Sequence, residues 1–373
     1  MEKTKVKTLV RQIRGVSYKP EDLHNELDDN SVVLLRANNI DEGKINFDDV
    51  VYVDKSKVSD EQYLKYGDIL ICASSGSKNL VGKAASIRFS KECTFGAFCK
   101  AIRPKEGLDE YLSVYFQSPI YRRKISEVAI GVNINNIRNE HIDELDIPVF
   151  SNDEQASIVK KIHLIQEVIS NRKAELEKLD DLIKARFVEM FGDMVTNYNG
   201  WKSVLLGEAC DVRDGTHDSP QYYLEGYPLV TSKNITGGKI DFTDCSLICE
   251  EDYNKINQRS KVDYGDILMP MIGTVGKPVI VDMDEKFAIK NVALIKFRDN
   301  SVVINSFVKA LLESDYFDRA VISKIRGGTQ KFISLGDIRK LEICLPPISM
   351  QEQFADFVHQ VDKSKFGKLS TLL

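Results

Sequence analysis

The strongest constraint on this chain is that one pattern is written twice along it. Tyr66-Gly67-Asp68-Ile69-Leu70 returns as Tyr264-Gly265-Asp266-Ile267-Leu268, 198 residues on. Ile147-Pro148 and Glu154-Gln155 find counterparts in Leu345-Pro346 and Glu352-Gln353 at the same offset. The stretches LLRANNIDEGKINF (34–47) and LVTSKNITGGKIDF (229–242) match at 195, a drift that small insertions explain. A shared offset held over most of 373 residues implies two copies of one domain-sized unit.

Each copy reads in the same order. Short β-rich runs bounded by glycine turns come first, such as DILICASSGSK and DILMPMIGTVGK. A helical stretch follows (110–128 and 305–325), then a Pro-terminated apolar run, then a long helix. That helix opens with Ser151-x-x-Glu154 in one copy and Ser349-x-x-Glu352 in the other. Both are capping-box patterns, in which the serine oxygen and the glutamate satisfy otherwise unpaired amide protons.

In the first copy Ile158, Ile162, Ile165, Ile169, Leu176, Leu179, Ile183, Phe187 and Met190 step by three, four or seven. This is a coiled-coil seam, and its helix over 153–191 would be about 58 Å long at 1.5 Å per residue. Gly192 is placed to cap it in a left-handed conformation. The second helix has only about 17 residues after its cap, against roughly 39. The central seam from about Leu176 onward is therefore expected to lack an intramolecular partner.

Composition then narrows the function classes. Apolar residues make up 43% and charged residues 29%, so the whole chain can fold. Acidic residues outnumber basic ones by 56 to 51, which excludes a uniformly basic coat but not a local basic face. No signal-peptide pattern and no bilayer-length apolar run occurs, so a soluble, cytoplasmic protein without membrane attachment is expected. Seven cysteines without a CxxC pair point to free thiols in a reducing compartment.

Catalytic patterns are missing. GSKNLVGKA (76–84) has five residues between its glycines and ends without the Mg²⁺-binding hydroxyl of a phosphate loop. In the second copy the lysine of GTVGKPV is followed by Pro278. No Asn/Asp-Pro-Pro-aromatic tetrapeptide of an amino-methyltransferase occurs. The five histidines (24, 141, 163, 217 and 359) lack metal-ligand spacing, so neither a metal site nor a catalytic residue is expected.

What remains is a set of loops rich in hydrogen-bonding and basic side chains. Arg36-Ala37-Asn38-Asn39 corresponds to Thr231-Ser232-Lys233-Asn234 of the other copy, and Thr216 and His217 lie in a polar loop. Ser74, Ser75, Lys78 and Asn79 are similar in kind to Gln330 and Lys331. Arg and Lys contact guanine or phosphate, Asn and Gln contact adenine, and Ser and Thr contact either, so these are the residue types of direct DNA readout. Composition alone favours reading such loops as plain turns. Two related but non-identical modules on a helical spacer favour readout of two half-sites.

The chain resembles the specificity subunit of type I restriction–modification enzymes over nearly its whole length. GVSYKPEDL, LLRANNI, TFGAFCKAIRP and NINNIRNEHI look like one target-recognition domain. LGEACDVRDGTHDSP, GYPLVTSKNITGGKIDF and GGTQKFISL look like a second, and KARFVEMFGD resembles the link between them. The resemblance implies a non-catalytic subunit in which each domain reads half of a bipartite double-stranded DNA target. The helices would set the spacer and dock two methylation subunits. It also implies that partner subunits, not this chain, use S-adenosylmethionine, ATP and Mg²⁺, and that motor–restriction subunits complete the complex.

The expected fold class is α+β, with recognition domains at 1–150 and 193–348, a central helix at 151–192 and a truncated second helix at 349–373. Ile158, Ile162, Ile165, Ile169, Leu176, Leu179, Ile183 and Phe187 would be the helix-packing residues. The alternative is a silent or decoy specificity protein that acts through its helices, including self-association along the unpaired seam.

Overall fold

The computed structural model describes residues 2–76, 80–131, 136–272, 277–298, 301–321 and 332–367. Two compact units, Met1–Ser170 and Asn171–Leu373, divide within the long helix Asn152–Phe191.

In the first unit an antiparallel sheet has the strand order Val10–Arg14, Cys99–Pro104, Ile69–Cys72, Ala84–Ser86. A second sheet runs Cys93–Phe95, Ser31–Leu35, Val51–Asp54, Leu23–His24, with its first two strands parallel. Ser31–Leu35 and Ile69–Cys72 are buried at every residue. Their unbroken Val/Leu/Ile runs, rather than alternation, follow from coverage on both faces.

The second unit repeats this plan. Asp211–Asp214, Val292–Lys296, Ile267–Pro270 and Val279–Ile280 form its antiparallel sheet. Ala288–Ile289 lies parallel to Tyr227–Val230, which also pairs with Ser246–Ile248. Registers coincide: Ile69 faces Ile102 in one unit and Ile267 faces Ile295 in the other. A buried acid–base pair sits beside each, Asp68 with Arg103 at 2.7 Å and Asp266 with Lys296 at 2.5 Å.

Towards the end of each unit the true match is 196 residues, not 198. Asp146–Pro148 pairs with Lys3–Lys5 as Glu342–Cys344 pairs with Ser203–Leu205, so Ile147 corresponds to Ile343 rather than Leu345. The prolines of the two copies suggested the wrong register. The expected helical stretches are each broken in two, as Asp109–Gln117 with Pro119–Gly131 and Asn305–Leu312 with Asp315–Ala320. At the first break the Ser118 hydroxyl accepts the Tyr121 amide proton (3.2 Å), and Pro119 starts the next helix, where its missing N–H costs nothing.

The long helix opens as its sequence indicates. The Ser151 amide donates to Glu154 Oε2 (2.9 Å) and the Glu154 amide donates to Ser151 Oγ (3.4 Å). Gly192, at φ +68°, ends it. The second capping box is not formed, because Ser349 lies inside a helix that begins at Ile348. Buried Gln351 holds that start instead, donating to the Pro346 and Val302 carbonyls and accepting the Ile304 amide.

The seam also pairs at the opposite end from that expected. Ile348–Gly367 runs antiparallel along residues 172–191: Phe354 packs against Phe187 and Phe191, Arg186 lies over Phe357, and Lys365 bridges to Asp180 at 2.7 Å. Arg172 donates to the Lys365 carbonyl. Leu176, Leu179 and Ile183 are thus half-buried, whereas Leu164, Ile165, Val168 and Ile169 are about half exposed.

All seven cysteines are free thiols, five of them buried. No described helix is long and apolar enough to cross a membrane.

Candidate nucleic-acid interface

The loops that follow the buried strands of the first unit gather on one recess of about 670 Å³. Val16, Arg36, Asn38, Ser74, Ser75 and Phe98 are among its lining residues. Main-chain hydrogen bonds lace these loops into one rigid surface. The Val16 amide donates to Phe95, the Gly96 amide to Leu35, and the Ala73 and Ser74 amides both to the Phe98 carbonyl. The chain passes so close here that a Cβ on Gly15 would collide with the Gly96 carbonyl.

The second unit is laced in the same way. A Cβ on Gly215 would collide with the Ile289 carbonyl, the Thr216 amide donates to Ile289, and the Lys290 amide donates to Val230. Thr216 bridges to Lys290 as Val16 bridges to Gly96. The loop lattice is shared, and the side chains on it differ.

The sequence candidates divide within this frame. Asn38 is exposed and its amide donates to Asp49 Oδ2 (2.7 Å), while Arg36 pairs with the same carboxylate at 3.0 Å. Lys233 is exposed; Ser232 donates to the Asn291 carbonyl, and Ser74 and Ser75 are half-buried.

Asn39 and Asn234 are corrections, at 1% and 8% exposure. Asn39 accepts the Arg36 amide (2.7 Å) and donates to the Asn46 and Asp49 carbonyls. Asn234 accepts the Thr231 amide (3.0 Å) and donates to Asp241. Each closes the turn that presents its neighbours. Lys78, Asn79, Gln330 and Lys331 lie outside the described residues.

His217 is held more firmly than its sequence context suggests. Its Nδ1 meets Asn291 Oδ1 at 2.7 Å and its Nε2 meets Asp214 Oδ2 at 2.8 Å. Two acceptors on the two ring nitrogens favour the doubly protonated ring. Hydrogen bonding to Asn291, then to the Asp214 carboxylate, accordingly raises the His217 pKa above its ordinary value. Arg259 shares Asp214 with it. The Lys290 ammonium donates to Ser219 Oγ (2.6 Å) in the same group of loops.

Phe98, Lys290 and Asn291 were missed by sequence reasoning. The signal for them was the equivalent turn that follows each parallel strand, at 96–98 and 290–291. Among the described residues no group of three or more His, Cys, Asp or Glu is placed to hold a metal ion.

Two copies of one mixed α+β unit, each presenting a rigid polar loop surface, define a tandem recognition protein. The sequence signature described as "Type I restriction modification DNA specificity domain" matches residues 18–179 and 198–371, and the chain belongs to that family. It is a type I specificity subunit with two recognition domains, the non-catalytic, DNA-recognising component of such systems. The specificity subunit of the type I restriction enzyme EcoKI from Escherichia coli (strain K12) is 29% identical over 379 residues, 95% of this chain and 81% of that one. That of StySPI from Salmonella potsdam is 41% identical over 215 residues, 54% of this chain and 46% of that one. A type I restriction–modification S subunit from M. genitalium shares the fold at TM-score 0.50 and 16% identity, over 100% of this chain and 92% of that one.

Proposed function

We propose that each unit reads one half of a bipartite double-stranded DNA target through its laced loops. One observation supports this most directly: matched positions on the same backbone carry different chemistry. Val16, Arg36, Asn38 and Gly96 stand where the second unit has Thr216, Thr231, Lys233 and Lys290. Matched frames with different side chains suit two different half-sites. The helices set the spacer and dock methylation subunits, two per chain. Those partners bring S-adenosylmethionine, and the motor–restriction subunits use ATP and Mg²⁺, all in the cytoplasm.

Sequencing methylated adenines in a host with and without this gene should show one bipartite motif lost on deletion. Lys233→Ala should relax one position of the second half-site or weaken binding to all sequences alike, depending on whether it meets a base or a phosphate. An unchanged motif together with unchanged affinity would remove that loop from the interface.

The half-exposed stretch Leu164–Ile169 supports a second reading, a decoy subunit that engages partners or a second copy only through its helix. The mass of the co-purified complex separates the two. Two methylation subunits per chain support the first reading; one or none supports the second.

A further inference from the structure

Phe98 leaves an apolar ring in solvent. It is 71% exposed, on the wall of a recess that it shares with Tyr18 and Val16 and with the polar Arg36, Asn38, Ser74 and Ser75. An aromatic ring left in water gives up the burial that makes phenylalanine useful in a core. The backbone beneath it is fixed. Its carbonyl accepts both the Ala73 and Ser74 amides (2.9 and 3.0 Å), and the Cys99 amide donates to Gly96 (2.8 Å). The ring is therefore projected by a rigid turn.

The register shows what stands at this point in the other unit. Cys99 faces Cys72 as Val292 faces Pro270, while Gly96 bridges to Val16 as Lys290 bridges to Thr216, so the three-residue turn 96–98 stands where the other unit has only Lys290 and Asn291, the latter holding His217. One frame carries an apolar projection here and the other a polar, cation-bearing one. The major-groove edge of DNA offers one apolar group for an aromatic to recognise, the C5-methyl of thymine; the other readable groups are donors and acceptors.

We propose that Phe98 is a specificity-determining residue that packs against a thymine methyl in the half-site read by the first unit. This rests on the DNA-reading role of that unit. The neighbouring Arg36, Asn38 and Ser74 would supply polar contacts around the methyl group.

The test uses the full chain with its methylation subunits and duplexes carrying the methylated motif. Each thymine of the first half-site is replaced in turn by deoxyuridine, which removes the methyl and leaves base pairing intact. One position should lose about fourfold in affinity, the value of one buried methyl-sized group. Phe98→Ala should abolish that thymine-over-uracil preference, and Phe98→Leu should keep part of it. Thermal melting should leave both variants as stable as the parent, since the ring is exposed.

A half-site without thymine, no uracil effect at any position, or an undiminished preference in Phe98→Ala would each overturn the proposal. Failure of the underlying reading gives a different result. In that case scrambling the whole first half-site would leave affinity unchanged.

Discussion

Asn38 and Asn39 are adjacent, chemically identical and differently employed. Asn39 and its counterpart Asn234 each accept a main-chain amide three residues back and donate across the turn, while Asn38 and Lys233 face outward. Sequence places all four in two matching turns but cannot separate them, because which side chain turns inward depends on closure of the 36–46 and 231–241 turns. Asn234→Ala should therefore cost roughly 1–3 kcal/mol in urea unfolding through the buried groups left unpaired. Lys233→Ala should leave stability unchanged to within about 0.5 kcal/mol. His217 makes a pH prediction. Its pKa is raised in the folded protein, so its bonds to Asn291 and Asp214 contribute fully below the unfolded value of about 6.5 and are lost as pH rises through the folded value. If the imidazolium faces DNA, affinity for the target duplex should fall over the same rise. A titration between about pH 6 and pH 8 should show that fall in the parent and a flatter profile in His217→Gln. Coincident profiles would dismiss the histidine's charge.

At the scale of elements, the repeat was legible because turn chemistry and buried strands leave strong marks. Tyr-Gly-Asp-Ile-Leu fixes a turn, an inward aspartate and a fully buried strand in both copies. The two-residue slip near Ile147 arose because proline is conspicuous in sequence, whereas the pairing of Leu145–Ile147 with the start of the unit is not. Helix pairing misled for a related reason. Counting residues gives the length of the second helix but not the end from which it runs. Its direction is set by Phe354 entering the cluster of Phe187, Phe191 and Phe307, at the C-terminal end of the long helix. Phe354→Ala should consequently lower the unfolding free energy of the second unit by about 3–5 kcal/mol. Ile165→Ser, on the exposed part of the seam, should change stability by no more than about 0.5 kcal/mol while weakening recovery of partner subunits. An Ile165→Ser variant that unfolded as readily as Phe354→Ala would show that the first part of the seam is already paired in the isolated chain.

For the whole molecule, a net charge of −5 has to coexist with a DNA-reading role. The two facts are compatible if this chain supplies selection and its partners supply most of the grip on phosphate. Sequence-independent affinity scales with the number of phosphates neutralised, and each contributes about −0.9 to the slope of log K against log salt. If Arg36, His217, Lys233 and Lys290 each met one phosphate, the slope for the isolated chain would be about −4. Two of these positions carry carboxylates that offset their charge: Arg36 has Asp49 at 3.0 Å and His217 has Asp214 at 2.8 Å. The isolated chain should therefore show a slope shallower than about −4 and prefer its target only weakly. The complex with methylation subunits should show a steeper slope on the same duplex. Titrations between about 50 and 200 mM salt would compare the two directly. Equal slopes would place the phosphate grip in the specificity chain itself and overturn the division between selection and grip.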